Sequence, residues 1–279
     1  MPGFWELPGG KINEHESKKA AIARELKEEL GIVVKKASLY KQMSHVYADR
    51  VVQLWIYNID EYLNEATGLE GQQINWVDIS DLYNHELLPT MKAFIDSITL
   101  PKKYWITPSS NHTSTAWIEK FEQKINTDIS LIQLRSKDVL DELFVTELHN
   151  KCRQNGIKLM LNTPHKSFNE AHCDGWHITT QEMMGLSTRP CADDKLLGAS
   201  THNLDEAFKA QELGVDFVVI SPVQATQTHP DSQPIGWERA TEVVEKLNIP
   251  VYLLGGMGLK DLDKAIKLGA QGIAGVSAL

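Results

Sequence analysis

Glu25, Glu28 and Glu29 stand at positions i, i+3 and i+4 of a stretch, Glu16 to Leu30, that contains neither Pro nor Gly until Gly31. That composition predicts a helix stopped by the glycine. Ile22, Leu26 and Leu30 recur every four residues and form an apolar stripe along it. The three glutamates project from one side of such a helix. Carboxylates that close repel one another and become tolerable around a hard divalent cation, which takes oxygen ligands and shares itself with substrate phosphates. A metal held there polarises a phosphoryl oxygen and lowers the pKa of bound water. Arg24 is placed to pair with a neighbouring carboxylate and hold it. The bland alternative is a solvated acidic helix face. Gly10, Glu16 and Gly31 at fixed distances on either side weigh against it.

The elements that must position these residues divide the chain in two. Its 279 residues suggest two domains. Strands are predicted at 37–44, 51–59 and 74–77, and a helix over 87–98 entered near Pro89. Residues 99–103 read as a linker. Beyond it, apolar runs alternate with helical stretches. Strands are predicted at 104–107, 129–135, 157–162, 175–178, 196–200, 215–221, 250–254 and 272–277, and helices at 138–155, 203–213, 237–247 and 260–268. Eight such units predict a (β/α)8 barrel with a last helix that is short or absent. The domains are therefore expected at 1–100 and 103–279.

A net charge of −9 argues against nucleic-acid or anionic-membrane binding. Cys152, Cys173 and Cys191 match no metal or redox spacing and read as reduced thiols. With no apolar run long enough to span a bilayer and no signal peptide, a cytoplasmic location is expected.

From Gly10 the order Gly, Glu16, Arg24-Glu25, Leu26, Glu28-Glu29, Gly31, Ile32 resembles the signature of the Nudix hydrolases. Phe4-Trp5-Glu6-Leu7-Pro8-Gly9-Gly10-Lys11, Asp49-Arg50, Leu54-Trp55, Glu70-Gly71-Gln72, Trp76 and Pro89 resemble the MutT-type subfamily, which hydrolyses oxidised dGTP. The resemblance implies a Nudix α/β/α sandwich and Mg2+, with Mn2+ as a substitute, held by the Gly9 carbonyl, Glu28, Glu29 and Glu70. It makes Glu25 the candidate base for water, beside Arg24, and Glu6, Leu7, Pro8, Gly9 and Met91 the nucleotide-contacting residues. The subfamily places an Asn where this chain has Met91, which packs a base but cannot read it by hydrogen bonds. It also places a strand, a hairpin and a second strand, roughly thirty residues, before the Phe-Trp-Glu segment. Here only Met1-Pro2-Gly3 precede Phe4, so either the sequence is a fragment with a misplaced start or the Nudix half is a partial sandwich, whose sheet is then expected to be left with a raw edge.

Residues 133–137 (Gln-Leu-Arg-Ser-Lys), Leu159–Asn162, Asp174-Gly175-Trp176-His177, Gly198–His202, Ser221-Pro222-Val223, Thr226-Gln227-Thr228 and Gly255-Gly256-Met257 resemble the thiamine-phosphate synthase and TenI-like tautomerase superfamily. The resemblance implies a phosphate site from the backbone at Gly255, Gly256 and Ser277, with Arg135 and Lys137 facing a diphosphate. His202 aligns with the proposed TenI acid/base histidine; its bland reading is a strand-end histidine bonded to backbone. The synthase pattern has carboxylates for Mg2+ after its Asn and after the His177 segment, where this chain has Thr163-Pro164 and Thr179-Thr180-Gln181-Glu182. It has Lys where this chain has His229. The sequence thus favours a Mg2+-dependent nucleoside triphosphate pyrophosphohydrolase, an 8-oxo-dGTP diphosphatase that cleanses the nucleotide pool and prevents mutation. The alternative is a thiamine-pathway enzyme, or a non-catalytic barrel, binding a phosphorylated thiazole or pyrimidine.

Overall fold

The computed structural model describes residues 3–47, 49–109, 112, 114–163, 172–226, 233–277 and 279, with the side chains of Val46, Ser80, Tyr83, Pro89 and Lys92 left aside. Pro164, Gln227, Thr228 and His229 lie outside the described residues. The chain divides into two compact units, Met1–Ile95 and Asp96–Leu279.

In the first unit, helix α1 (Lys18–Leu30) begins two residues later than predicted because Ser17 caps it, its hydroxyl accepting from the Ala20 amide at 3.1 Å. Gly31 ends it in the left-handed region at φ 71°, its amide bonding the Lys27 carbonyl. The predicted stripe is the buried one. Leu26 and Leu30 pack with Ile32, flanked by Ile22, Val34, Ile59 and Ala66. Strands β1 (Val33–Val46) and β2 (Val51–Leu63) form a two-stranded antiparallel sheet running from Val33 opposite Leu63 to Val46 opposite Val51. Trp5 and Leu87 make an isolated parallel bridge. The strand predicted at 74–77 does not form. A strand needs a neighbour to pair with, the stretch pairs with none among the described residues, and Trp76 is 75% exposed. Helix α2 (Pro89–Thr99) opens at the proline, as its missing amide allows.

The second unit is a closed parallel barrel. Its strands are β3 (Lys103–Ile106), β4 (Leu131–Arg135), β5 (Lys158–Asn162), β6 (Gly175–Ile178), β7 (Leu196–Thr201), β8 (Phe217–Ile220), β9 (Val251–Leu253) and β10 (Gly272–Gly275), with β10 pairing both β9 and β3. Six of the eight strands fall within the predicted runs; β3 begins one residue earlier, at Lys103, and β7 ends one residue later, at Thr201. Around them lie α3 (Thr115–Ile125), α4 (Glu142–Gln154), α5 (Thr180–Met184), α6 (Leu204–Glu212), α7 (Gly236–Lys246) and α8 (Leu262–Lys267). Helix α4 starts at Glu142 and not at residue 138, because Asp141 caps it through the Phe144 amide. Sequence reading did not single out α3, whose start is set by Ser114 accepting from the Trp117 amide.

Alternate strand residues face opposite ways. Trp105, Ile132, Leu134, Leu159 and Leu161 pack outward with the helices, while Tyr104, Ile106, Leu131, Met160, Phe217, Val219, Tyr252 and Ala274 fill the lumen. The predicted linker is part of this core. Leu100, 5% exposed, belongs to the lumenal cluster, its carbonyl accepts from the Gln271 amide at 2.6 Å, and the Tyr252 hydroxyl bonds the Pro101 carbonyl. These residues precede β3 and so stop the N-terminal end of the lumen.

Phe217 has no exposure and meets Tyr104 and Tyr252 edge to face at 5.4 Å. Phe217→Ala is expected to lower the unfolding free energy by about 3–5 kcal/mol, read from urea titrations of the two proteins.

Candidate functional site

The period that fills the lumen with apolar groups also sets what stands above them. Continuing two residues toward each strand's C-terminal end leads from Leu131 to Gln133 and Arg135, from Met160 to Asn162, from Gly175 to His177, and from Gly198 to Ser200 and His202. These polar residues, with Ser221, Thr226, Lys260 and Ser277, line a cavity of about 860 Å³. It lies at the end of a barrel where loops gather catalytic groups.

Inside the cavity wall a chain of hydrogen bonds has a determined direction. The Gln133 amide donates to the Tyr104 hydroxyl at 3.0 Å, so the Tyr104 proton goes to His177 Nδ1, 3.2 Å away. Burial, with the Arg135 charge adding to it, pushes the His177 pKa down to about 3, so the ring is neutral. Its remaining hydrogen is on Nε2 and is donated to Ser200 Oγ at 2.9 Å. The Ser200 oxygen is thereby an acceptor in the wall, and its own hydrogen remains for a cavity ligand. Burial also raises the Tyr104 and Tyr252 hydroxyls well above the usual phenol range.

The structure brings His202, Arg135, Gly255, Gly256 and Ser277 to one cavity. Lys137 is exposed and is not among the lining residues, since it lies two residues beyond the last residue of β4. Gly255 and Gly256 adopt φ of 94° and 66°, and a Cβ on either would come within 2.7 Å of backbone atoms, Pro222 Cα and the Ala225 carbonyl oxygen respectively. Only glycine fits there, so the backbone amides stay open to a small anion. The Arg135 backbone is anchored by Thr107 Oγ1, which accepts its amide at 3.0 Å, and by His112 Nε2 against its carbonyl at 2.9 Å. Tyr104, Thr180, Glu206 and Lys260 were not singled out from the sequence. Tyr104 could have been found from strand alternation, and Glu206 from its spacing of four from His202.

In the first unit Arg24 uses all five of its N–H groups. Nε and Nη2 bond Glu16 at 3.0 Å each, Nη1 bonds Glu25 at 2.9 Å and Glu28 at 3.0 Å, and Nη2 bonds the Lys11 carbonyl at 3.0 Å. The Arg24 hydrogen bonds, with the Asn13 amide, hold the Glu16 carboxyl below its ordinary range. Gly10 is a close-approach position: a Cβ there would lie 2.3 Å from Glu25 Oε1. Glu29 accepts the Gly9 amide at 3.2 Å. Its pKa is raised, first by burial, then by the charges of Glu25, Glu70 and Glu6. Leu7 N–H meets Met91 Sδ at 3.4 Å, which with the Trp5–Leu87 bridge brings the 5–9 segment beside residues 87–91. Glu28 and Glu70 are exposed. Among the described residues no three His, Cys, Asp or Glu side chains are gathered as metal ligands. The chemistry of the set still fits a hard cation, because the carboxylates around Glu29 oppose its ionisation and a divalent charge would relieve that repulsion.

Residues 103–279 match the family model described as thiamine monophosphate synthase, and residues 1–98 match the NUDIX domain. A putative thiamine-phosphate synthase 2 of Aquifex aeolicus (strain VF5) is 33% identical over 181 residues, 64% of this chain and 97% of that protein. The thiamine-phosphate synthase of Bacillus velezensis is 30% identical over 178 residues, 61% of this chain and 80% of the relative. A solved thiamine phosphate pyrophosphorylase from Pyrococcus furiosus superposes with a TM-score of 0.51 at 24% identity, covering 63% of this chain and 86% of that one, which supports the barrel fold. Identity and coverage thus back the barrel reading better than the hydrolase reading that the sequence placed first.

The depressed His177 pKa sets a pH dependence. Between about 3 and the ordinary histidine value near 6.5, the unfolded chain binds a proton at this ring that the folded chain does not. Stability from this group is complete above about 6.5 and falls as pH drops, by at most about 1.4 kcal/mol per pH unit. Unfolding free energies measured from pH 7.5 to 4.5 should show a shallower acid slope in His177→Gln than in the wild type, whatever the offset between the two curves.

Proposed function

The chain belongs to the thiamine monophosphate synthase family, and on that premise we propose that its barrel binds a phosphorylated thiazole or pyrimidine and transfers protons on it through His202. The observation that carries this reading is the shared cavity: the His202 imidazole, a glycine pair with open backbone amides, and two cations, Arg135 and Lys260, face the same space, with His177 also in its wall. The amides of Gly255, Gly256 and Ser277 would hold the phosphate, and Arg135 and Lys260 would balance its charge. Ser200 donates to an acceptor on the ring, and His202 takes up or returns the proton. The Mg2+ of a synthase does not fit the described cavity: Asn162 and Thr179 line it, and no carboxylate among the described residues does.

A second reading concerns the first unit, which matches a hydrolase superfamily. The NUDIX match over residues 1–98, with Glu25, Glu28 and Glu29 on one helix, supports a Mg2+-dependent pyrophosphohydrolase acting on nucleoside triphosphates, of which 8-oxo-dGTP is the substrate suggested by the MutT-type resemblance. Mg2+, or Mn2+ in its place, would be held by Glu28, Glu29, Glu70 and the Gly9 carbonyl, with Glu25 as the base for water, and would supply Lewis-acid activation of a phosphoryl oxygen and of water. Arg24 fixes the orientations of Glu25 and Glu28. Met91, whose sulfur already meets the Leu7 amide, offers a base packing and no donor.

For the barrel, the test is incorporation of solvent deuterium into thiazole phosphate carboxylate, followed by mass spectrometry. The wild type should exchange, and His202→Ala should lose activity by on the order of 10²–10⁴-fold. Absence of exchange together with absence of calorimetric heat for both phosphorylated ligands would remove the reading. For the first unit, pyrophosphate release should require Mg2+, stop with EDTA, fall sharply in Glu29→Gln, and discriminate weakly between 8-oxo-dGTP and dGTP because Met91 cannot read the base edge.

A further inference from the structure

His202 Nδ1 has two neighbours, and both are acceptors. Glu206 Oε2 lies 3.0 Å away and Thr180 Oγ1 lies 3.2 Å away. The Thr180 hydroxyl spends its single hydrogen on the Ser200 carbonyl at 2.8 Å, so toward His202 it can only accept. A carboxylate and a hydroxyl oxygen with no spare hydrogen therefore both demand a proton on Nδ1. Glu206 is itself held. Its Oε2 also accepts the His202 amide at 2.7 Å, its Oε1 accepts the Asn203 side-chain amide at 2.8 Å, and its own amide donates to Asn203 Oδ1 at 2.9 Å. It stands in the first turn of α6, where the helix end favours an anion. Its side chain is 20% exposed against 53% for His202, so the partner is more firmly seated than the ring it holds.

Resting on the reading that His202 is the proton-transfer group, we infer that Glu206 and Thr180 are positioning residues that fix His202 as the Nδ1–H tautomer. Nε2 is then the ring's only basic atom. It makes no hydrogen bond among the described residues, and the ring lines the cavity. The neutral ring enters the reaction as a proton acceptor at Nε2: a ligand C–H or O–H bond breaks, its electron pair stays on the ligand, and the proton forms a bond to Nε2. Glu206 stabilises the resulting imidazolium, whose Nε2 proton exchanges with solvent at this half-exposed ring, and a proton then passes from Nε2 to the ligand at a second atom, leaving the ring as it began. The nearby charges do not compete for Nδ1. Glu182 is engaged by the Thr179 amide and hydroxyl at 2.8 and 2.9 Å, and Arg135 and Lys260 are cations on the cavity wall that cannot accept. A ligand suited to this device carries an acidic hydrogen toward His202 and an acceptor toward Ser200.

The test is a long-range 1H–15N correlation spectrum of the uniformly 15N-labelled full chain at alkaline pH, with the His202 signals assigned by their loss in His202→Asn. The wild type should show Nδ1 with the protonated, pyrrole-type shift and Nε2 with the unprotonated, pyridine-type shift. Glu206→Gln should move both toward averaged values, because the amide can also donate to Nδ1, and Glu206→Asp should restore part of the separation. A wild-type ring protonated on Nε2, or averaged, overturns the inference. So does an unchanged spectrum in Glu206→Gln and Thr180→Val alike. The wild-type spectrum decides the matter even if a variant does not fold. A fixed Nδ1–H ring in a protein that exchanges no deuterium with thiazole phosphate carboxylate would leave the tautomer standing and remove only the catalytic reading.

Discussion

Closure of the second unit's sheet on itself is the constraint from which its chemistry follows. Once β10 pairs with β3, every second residue of eight strands must enter one lumen. The lower layers are met with Tyr104, Leu131, Met160, Phe217 and Tyr252, which have no exposure. The next layer, still almost wholly buried, is polar: Gln133 is 2% exposed and His177 3%. Buried polar groups are tolerable only when paired, and the Gln133–Tyr104–His177–Ser200 chain pairs them in one direction. The packing that stabilises the barrel thus also decides which hydrogen Ser200 shows to the cavity.

The two units manage charge in opposite ways. In the first, carboxylates are concentrated and then divided. Arg24 holds Glu16, Glu25 and Glu28 with a complete set of hydrogen bonds, while Glu29 is left half-buried among Glu25, Glu70 and Glu6. In the second, the described cavity wall has cations, hydroxyls, amides and imidazoles but no carboxylate, and Glu206 acts from behind His202. That arrangement suits an anion and a proton transfer.

The fold was largely legible because its signals are local. The α1 stripe, the Gly31 stop and the eight barrel strands follow from periodicity and breakers, and they appear where the pattern put them. The failures were also local in kind but tertiary in cause. The 74–77 stretch has strand composition but no partner to pair with. Residues 99–103 look like a linker, yet Leu100 and Pro101 complete the lumen's floor. The start of α4 moved to the cap that Asp141 supplies. At the site, motif spacing found Arg135, His202 and the glycine pair but also Lys137, which turned out to lie off the cavity wall.

The sequence by itself determined the two families, the positions of the strands and the residue types offered for chemistry, because these depend on short-range periodicity and on motifs with fixed spacing. Only the tertiary structure decided which of those residues meet. Tyr104 and His177 are 73 positions apart and share a proton. Thr180 reaches His202 across 22 positions and removes the ambiguity of its tautomer. Hydrogen-bond direction depends on every donor and acceptor within about 3 Å, and no pattern along the chain carries that information until the barrel closes.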